Sequence, residues 1–158
     1  MTDPSTAASA PAARDHLALA LDVADLVLAM RLGRQLQPYF RVAKVGLELF
    51  SAVGPDAIGA LTDLGYDVFL DLKLHDIPTT VEKTARVLGS LGASYLTLHA
   101  HGGVPMLRAG VTGLAEGAAN AGLETPMALA VTVLTSDADA PPHIVPKRVM
   151  VAAEAGCG

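Results

Sequence analysis

Val68-Phe69-Leu70-Asp71-Leu72-Lys73-Leu74-His75-Asp76-Ile77-Pro78-Thr79-Thr80 is the stretch around which the chain is organised. It opens on an apolar run bounded by Gly65 and Pro78, the pattern of a buried strand. Side chains alternate along a strand, so Asp71 and Lys73 share one side. Asp76 lies just past the strand end, where the chain turns toward a helix. An acid, a base and a second acid are thus gathered at the C-terminal end of an apolar strand. Such charges are costly to bury unless they pair or meet a polar ligand. A structural ion pair and a functional site both meet that condition, and the surrounding sequence decides between them.

On either side of this strand the chain alternates strand and helix. Further strands are predicted at 17–21, 41–45, 95–98 and 127–134. A helix is predicted at 25–36, ending before Pro38. A second opens at Gly54-Pro55-Asp56 and stops near Gly65. A third opens with Thr79 and Glu82 at capping-box spacing and ends around Gly89. Two more cover 106–121 and 143–155. Apolar strands separated by helices imply a parallel sheet covered by helices, an α/β fold. Asp22, Lys44, Asp71, Lys73, His99 and Thr135 all fall at or just after strand C-termini. Parallel α/β folds build their active sites at those ends, and the repeated placement favours the functional reading.

The turn after the first strand reads Leu21-Asp22-Val23-Ala24-Asp25 and has no glycine, which disfavours a dinucleotide-binding fold. The fold class expected is therefore the (β/α)8 TIM barrel, with about five βα units present. A complete barrel takes about 200 or more residues, and this chain has 158. Its last residues, Gly156-Cys157-Gly158, read as a helix end that should lead into a sixth strand. The expectation is a truncated barrel, or one closed by partner exchange.

Composition narrows the function. Apolar residues make up 51% and aromatics 4%, so a core of Ala, Leu and Val is expected rather than disorder. A net charge of −5 argues against a nucleic-acid or membrane-surface protein. Residues 1–16 read as a flexible tail without the features of a signal peptide, and 17–158 as the domain. Asp22 and Asp25 interrupt the best membrane-spanning candidate. A lone cysteine, Cys157, excludes an intrachain disulfide and fits a reducing, cytoplasmic setting.

Other polar residues admit two readings each. Lys44 belongs to a buried strand beside Val42 and Val45, rather than to the surface. Asp22 either caps the first helix or binds a sugar. Thr135 and Ser136 are turn formers or site residues. His99 and His101 have a spacing seen in metal sites, or close a strand end before Gly102-Gly103. His75 is assigned a packed or solvated role.

Lys44-Val45-Gly46, the stretch Asp71 to Thr80 and Val133-Leu134-Thr135-Ser136, in this order, resemble the orotidine 5′-phosphate decarboxylase family. The similarity runs from about Leu17 to the last residue, and Asp-x-Lys-x-x-Asp-Ile-Pro-x-Thr is its specific core. The resemblance implies a lyase that converts orotidine 5′-phosphate to UMP in pyrimidine biosynthesis. It implies a homodimer with shared active sites, no cofactor and no metal. It implies that Lys73 protonates the carbon that loses carbon dioxide and that Asp71 sits beside the substrate carboxylate. Lys44 and Asp76 complete an alternating charge array. Asp22 and Lys44 bind ribose hydroxyls, Asp76, Ile77 and Thr80 reach into the partner subunit's site, and Thr135 and Ser136 lie near the pyrimidine ring. Two departures stand out. The family's phosphate-binding segments after strands seven and eight are absent, and position 79 is Thr where Asn is expected. Weak or no activity of these residues alone is therefore one alternative. The other is a metal-dependent sugar-phosphate lyase of the same suprafamily.

Overall fold

The computed structural model describes residues 13–158. Five strands form one sheet in the order β1-β2-β3-β4-β5, every neighbouring pair parallel. They are β1 (Ala18–Ala20), β2 (Val42–Gly46), β3 (Asp67–Leu74), β4 (Tyr95–His99) and β5 (Met127–Val131). Spatial order follows chain order with no reversal. A doubly wound sheet would reverse at its switch point, so this is the arrangement of a barrel wall. The strand residues that face the helices are apolar: Ala43, Val45, Val68, Leu70, Leu96 and Leu98 are fully buried. The other face of β2 and β3 alternates with them in burial and carries Lys44, Asp71 and Lys73.

The helices are α1 (Leu26–Leu36), α2 (Leu47–Val53), α3 (Asp56–Asp63), α4 (Pro78–Gly89), α5 (Gly103–Ala121) and α6 (Ile144–Ala155). None of the helices among the described residues is long and apolar enough to cross a membrane. Ala13–His16, placed in the tail by sequence, is a single 3-10 turn whose Arg14 carbonyl accepts from the Arg41 N–H at 3.1 Å. The rest of that stretch lies outside the described residues.

Local signals explain most of the boundaries. Asp25, not Asp22, caps α1, its carboxylate accepting from the Val27 N–H at 2.8 Å. The short helix α2 precedes the one expected at Gly54-Pro55-Asp56, with Leu49 its buried residue. The capping box read from Thr79 and Glu82 does not form. Pro78 takes the first helical position of α4, where its missing N–H costs nothing, and Ile77 stands at the N-cap with no side-chain bond. Thr79 is thus inside the helix, and Glu82 pairs instead with Arg86 at 2.6 Å, one turn on.

Helices α4 and α5 pack with their backbones in contact, because glycines line the seam. A Cβ on Gly113 would strike the Glu82 carbonyl oxygen, and one on Gly117 the Arg86 carbonyl oxygen. Backbone cannot move aside as a side chain can, so Gly117→Ala is expected to lower stability by about 1–3 kcal/mol. Gly59 is exposed on α3 with nothing within 4 Å of an added Cβ. Gly59→Ala should raise stability by up to ~1 kcal/mol through helix propensity alone. Urea midpoints of the two variants should therefore move in opposite directions; a shared direction would refute the packing account.

Candidate active site

The charged residues converge at the C-terminal ends of β1, β2 and β3. Ala20 pairs with Lys44 across β1 and β2, and Gly46 pairs with Asp71 across β2 and β3. Asp22 follows β1 by two residues, so a carboxylate stands on either side of Gly46, which has no side chain. Lys44, two residues below Gly46 on the same face, sends its ammonium up into that space. Its Nζ lies 2.9 Å from Asp22 Oδ1 and 3.9 Å from Asp71 Oδ2. Asp71 Oδ1 in turn accepts from Lys73 Nζ at 2.8 Å. The result is a row Asp22–Lys44–Asp71–Lys73, alternating in sign across three strands. The side chains of Lys44, Asp71 and Lys73 are 22%, 18% and 33% exposed, open enough for a ligand to reach the ammonium groups.

Lys73 owes its direction to an irregularity of β3. The ladder to β4 pairs Leu70 with Leu96 and then Leu74 with Leu98. Three residues of β3, Asp71 to Lys73, therefore oppose the single residue Thr97. Lys73 has φ 49°, the left-handed region that a residue with a side chain seldom adopts. Bulges of this kind re-aim side chains beside active sites. Thr97 fills the gap. Its hydroxyl accepts from the Lys73 N–H at 2.8 Å and lies 3.1 Å from Asp71 Oδ1. Thr97 went unnoticed in the sequence, where an apolar strand with one threonine gives no warning of a bulge in its neighbour.

The remaining residues singled out by sequence fall outside this row. Asp76 is exposed, and its Oδ1 accepts from the Ile77 N–H at 2.6 Å. Ile77 is 66% exposed and Thr80 is also at the surface, both on the rim beyond β3. The fifth strand stops at Val131, short of the Leu134 expected. Thr135 and Ser136 lie beyond it in a turn closed by the Asp137 N–H on the Leu134 carbonyl at 2.9 Å, and both are exposed.

Three imidazoles gather beside Lys73. The His75 ring stacks on His99 with centroids 5.3 Å apart, and His101 meets both edge-on. His75 is thus part of a ring cluster rather than simply solvated. His99 Nδ1 accepts from the His101 N–H at 3.2 Å, and Arg148 Nη2 lies 2.7 Å from His101 Nδ1. A guanidinium in that place opposes a cation. Among the described residues no group of three or more His, Cys, Asp or Glu is arranged to hold a metal ion.

Comparison with known proteins fits this layout. The sequence model described as "Orotidine 5'-phosphate decarboxylase / HUMPS family" matches residues 15–141. The chain belongs to that family. It is 47% identical over 124 residues to an orotidine 5′-phosphate decarboxylase of Moorella thermoacetica, covering 78% of this chain and 49% of that protein. Two solved structures are also similar. The orotidine 5′-phosphate decarboxylase of Lactobacillus acidophilus superposes with a TM-score of 0.76 at 37% identity, over 89% of this chain and 68% of that one. That of Pyrococcus horikoshii superposes with a TM-score of 0.72 at 25% identity, over 87% and 62%. The chain spans about half the length of the curated relatives it matches. As a member of this family, it is the wall of a TIM barrel comprising five βα units.

The imidazole cluster has a consequence for stability. Burial, reinforced by the neighbouring His75, Arg148, His101 and Lys73, holds His99 below its ordinary 6.5. The unfolded chain therefore binds this proton at a higher pH than the folded one does. The contribution of neutral His99 is complete above 6.5 and is lost as pH falls through the lower folded value. Urea midpoints taken from about pH 7 down to about pH 5 should decline. His99→Gln should flatten that decline, and an unchanged slope in the variant would assign it to other groups.

Proposed function

We propose that the chain carries the catalytic array of an orotidine 5′-phosphate decarboxylase. The observation that carries this reading is the alternating row ending at Lys73, found in a member of the matching family. Decarboxylation without a cofactor leaves an electron pair on carbon with nothing to delocalise it. The bond from C6 of the pyrimidine to its carboxylate breaks, carbon dioxide departs, and the pair stays on C6. Lys73 Nζ faces that carbon, stabilises the developing charge and gives it a proton. Asp71 lies beside the substrate carboxylate, and their repulsion is relieved as carbon dioxide leaves. Fixing the ammonium groups before substrate arrives leaves little reorganisation for the reaction itself.

The other residues take supporting parts in the same reading. Asp22 and Lys44 hold ribose hydroxyls, and Thr135 and Ser136 border the pyrimidine ring. Asp76, Ile77 and Thr80 serve the partner's site in a cytoplasmic homodimer. Their exposure, and their separation from the row of their own chain, favour that assignment over a role in cis. An isoleucine two-thirds exposed next to a site carboxylate suits a surface that a second subunit covers.

Turnover of orotidine 5′-phosphate by the purified chain, followed by release of carbon dioxide, tests the reading. Lys73→Ala should reduce turnover by at least ~10²–10³-fold, the scale for losing one preorganised group from such a site. Appreciable activity in that variant would remove Lys73 as proton donor. Activity that persists in a strong chelator would exclude the metal-dependent sugar-phosphate lyase, the second branch of the suprafamily. A folded chain with no turnover would favour the non-catalytic alternative.

A shared site has its own test. Lys73→Ala mixed with Asp76→Asn should regain part of the activity that each lacks alone, because one of the two mixed sites is intact. Mixed dimers confirmed by mass and still inactive would count against sharing.

A further inference from the structure

We infer that Thr97 is the positioning residue that aims Lys73 at the reacting carbon by holding the bulge of β3 open. The inference rests on the decarboxylase reading for its chemistry, and on geometry alone for its structural part. Thr97 is 4% exposed and is the only buried polar residue among the described residues. A buried hydroxyl without a purpose is a cost, and Val or Ala would fill the same place in an apolar core.

This hydroxyl has three neighbours. It accepts from the Lys73 N–H at 2.8 Å. Its one proton faces Asp71 Oδ1 at 3.1 Å and the Leu70 carbonyl at 3.4 Å. A hydroxyl donates once, and the nearer, charged oxygen is the better acceptor. Thr97 thus joins the backbone of Lys73 to the carboxylate of Asp71, which itself accepts from the Lys73 ammonium at 2.8 Å. A closed circuit results: backbone N–H, hydroxyl, carboxylate, ammonium.

The circuit compensates for strain. Lys73 at φ 49° occupies a conformation that persists only where its surroundings fix it. The bulge takes Lys73 out of the regular pairing between Leu70 and Leu74, so its N–H needs another acceptor. Thr97 supplies one. Without it, the N–H would be unsatisfied and the kink unsupported. Relaxation toward a regular strand would then swing the lysine side chain away from Asp71. A displacement of about 1 Å at a reacting group is enough to cost ~10²-fold in rate.

Thr97→Val removes the hydroxyl at nearly constant shape, and Thr97→Ser retains it. On the full chain, Thr97→Val is expected to lower kcat by roughly 10- to 100-fold with KM within a few-fold of wild type. Thr97→Ser should restore kcat to within a few-fold. A general loss of stability would not give this split, nor this rescue. Wild-type kcat in Thr97→Val, or a Thr97→Ser variant equally impaired, would overturn the inference. Amide hydrogen exchange at Lys73 decides the structural part without reference to turnover. Its N–H should be protected in wild type and Thr97→Ser, and exchange faster in Thr97→Val than neighbouring β3 amides account for. Unchanged protection at Lys73 in Thr97→Val would also overturn it. Absence of turnover in wild type would instead dismiss the decarboxylase reading, leaving exchange to decide whether Thr97 holds Lys73.

Discussion

The structure depends on bringing like charges close without leaving any of them next to its own kind. Lys44 and Lys73 are both directed at Asp71, and Asp22 and Asp71 both at Lys44. Each repulsion is bridged by an opposite charge at hydrogen-bond or ion-pair distance. Partly removed from water, such interactions are stronger than at the open surface, and so is any error in their placement. Three strands must therefore end at the same level. A parallel sheet in fixed register does this, since all its C-terminal ends lie on one edge. The apolar alternation of β2 and β3 thus fixes the register that the charge row requires.

The helical layer works to the same end. Glycines at 113 and 117 let α5 approach the backbone of α4, and Arg86 of α4 bridges Glu82 and Glu116 across the seam. With α4 held from behind, its first turn has little freedom. Pro78 and Ile77 open that turn, so the rim residues Asp76, Ile77 and Thr80 stand at a defined place beyond β3. A seam of small residues on the outside of the wall thereby sets the position of groups on its upper edge. Neither the glycines nor the ion pairs touch the charge row directly.

Much of this was legible from residue order. The apolar runs located all five strands, the central one bounded by Gly65 and Pro78 and the fifth read three residues too long, and the absence of glycine after β1 pointed away from a dinucleotide fold. Lys44, Asp71 and Lys73 could be joined because strand periodicity is robust where one face is apolar. Local capping chemistry was less readable. Thr79 and Glu82 have capping-box spacing, yet Pro78 at the first helical position puts the helix start two residues earlier, and Glu82 pairs with Arg86 instead. Helix α2 is seven residues long, and the stronger helix-opening signal at Gly54-Pro55-Asp56 masked it. Asp25 displaced Asp22 as the cap because it immediately precedes α1, where its backbone is extended and its carboxylate reaches the Val27 N–H. The part of Thr97, and the meeting of His75 with His99 and His101, were illegible for a deeper reason. Both depend on what β3 and β4 bring together across the sheet, and a bulge changes that without any mark in either strand.

The bulge also bears on why a lysine, rather than an arginine, ends the row. In the proposed reaction the donor must bring one proton to one carbon, and an ammonium is a compact point charge on a flexible stem, whereas a guanidinium spreads its charge over a planar fork suited to bidentate partners. Flexibility is a disadvantage for a proton donor that must already be in place. The left-handed turn at Lys73 removes part of it at the backbone, and Asp71 removes more at the ammonium. Asp71 therefore has two tasks in the proposed reaction that pull in different directions. It must hold the lysine and also stand against the substrate carboxylate. A donor to Asp71 from the interior, such as the Thr97 hydroxyl, lets the carboxylate keep its orientation when the ammonium turns toward carbon. In that proposed reaction the row would hand over a proton without collapsing, because the acid that positions the lysine is anchored from the core as well as from the ammonium it releases.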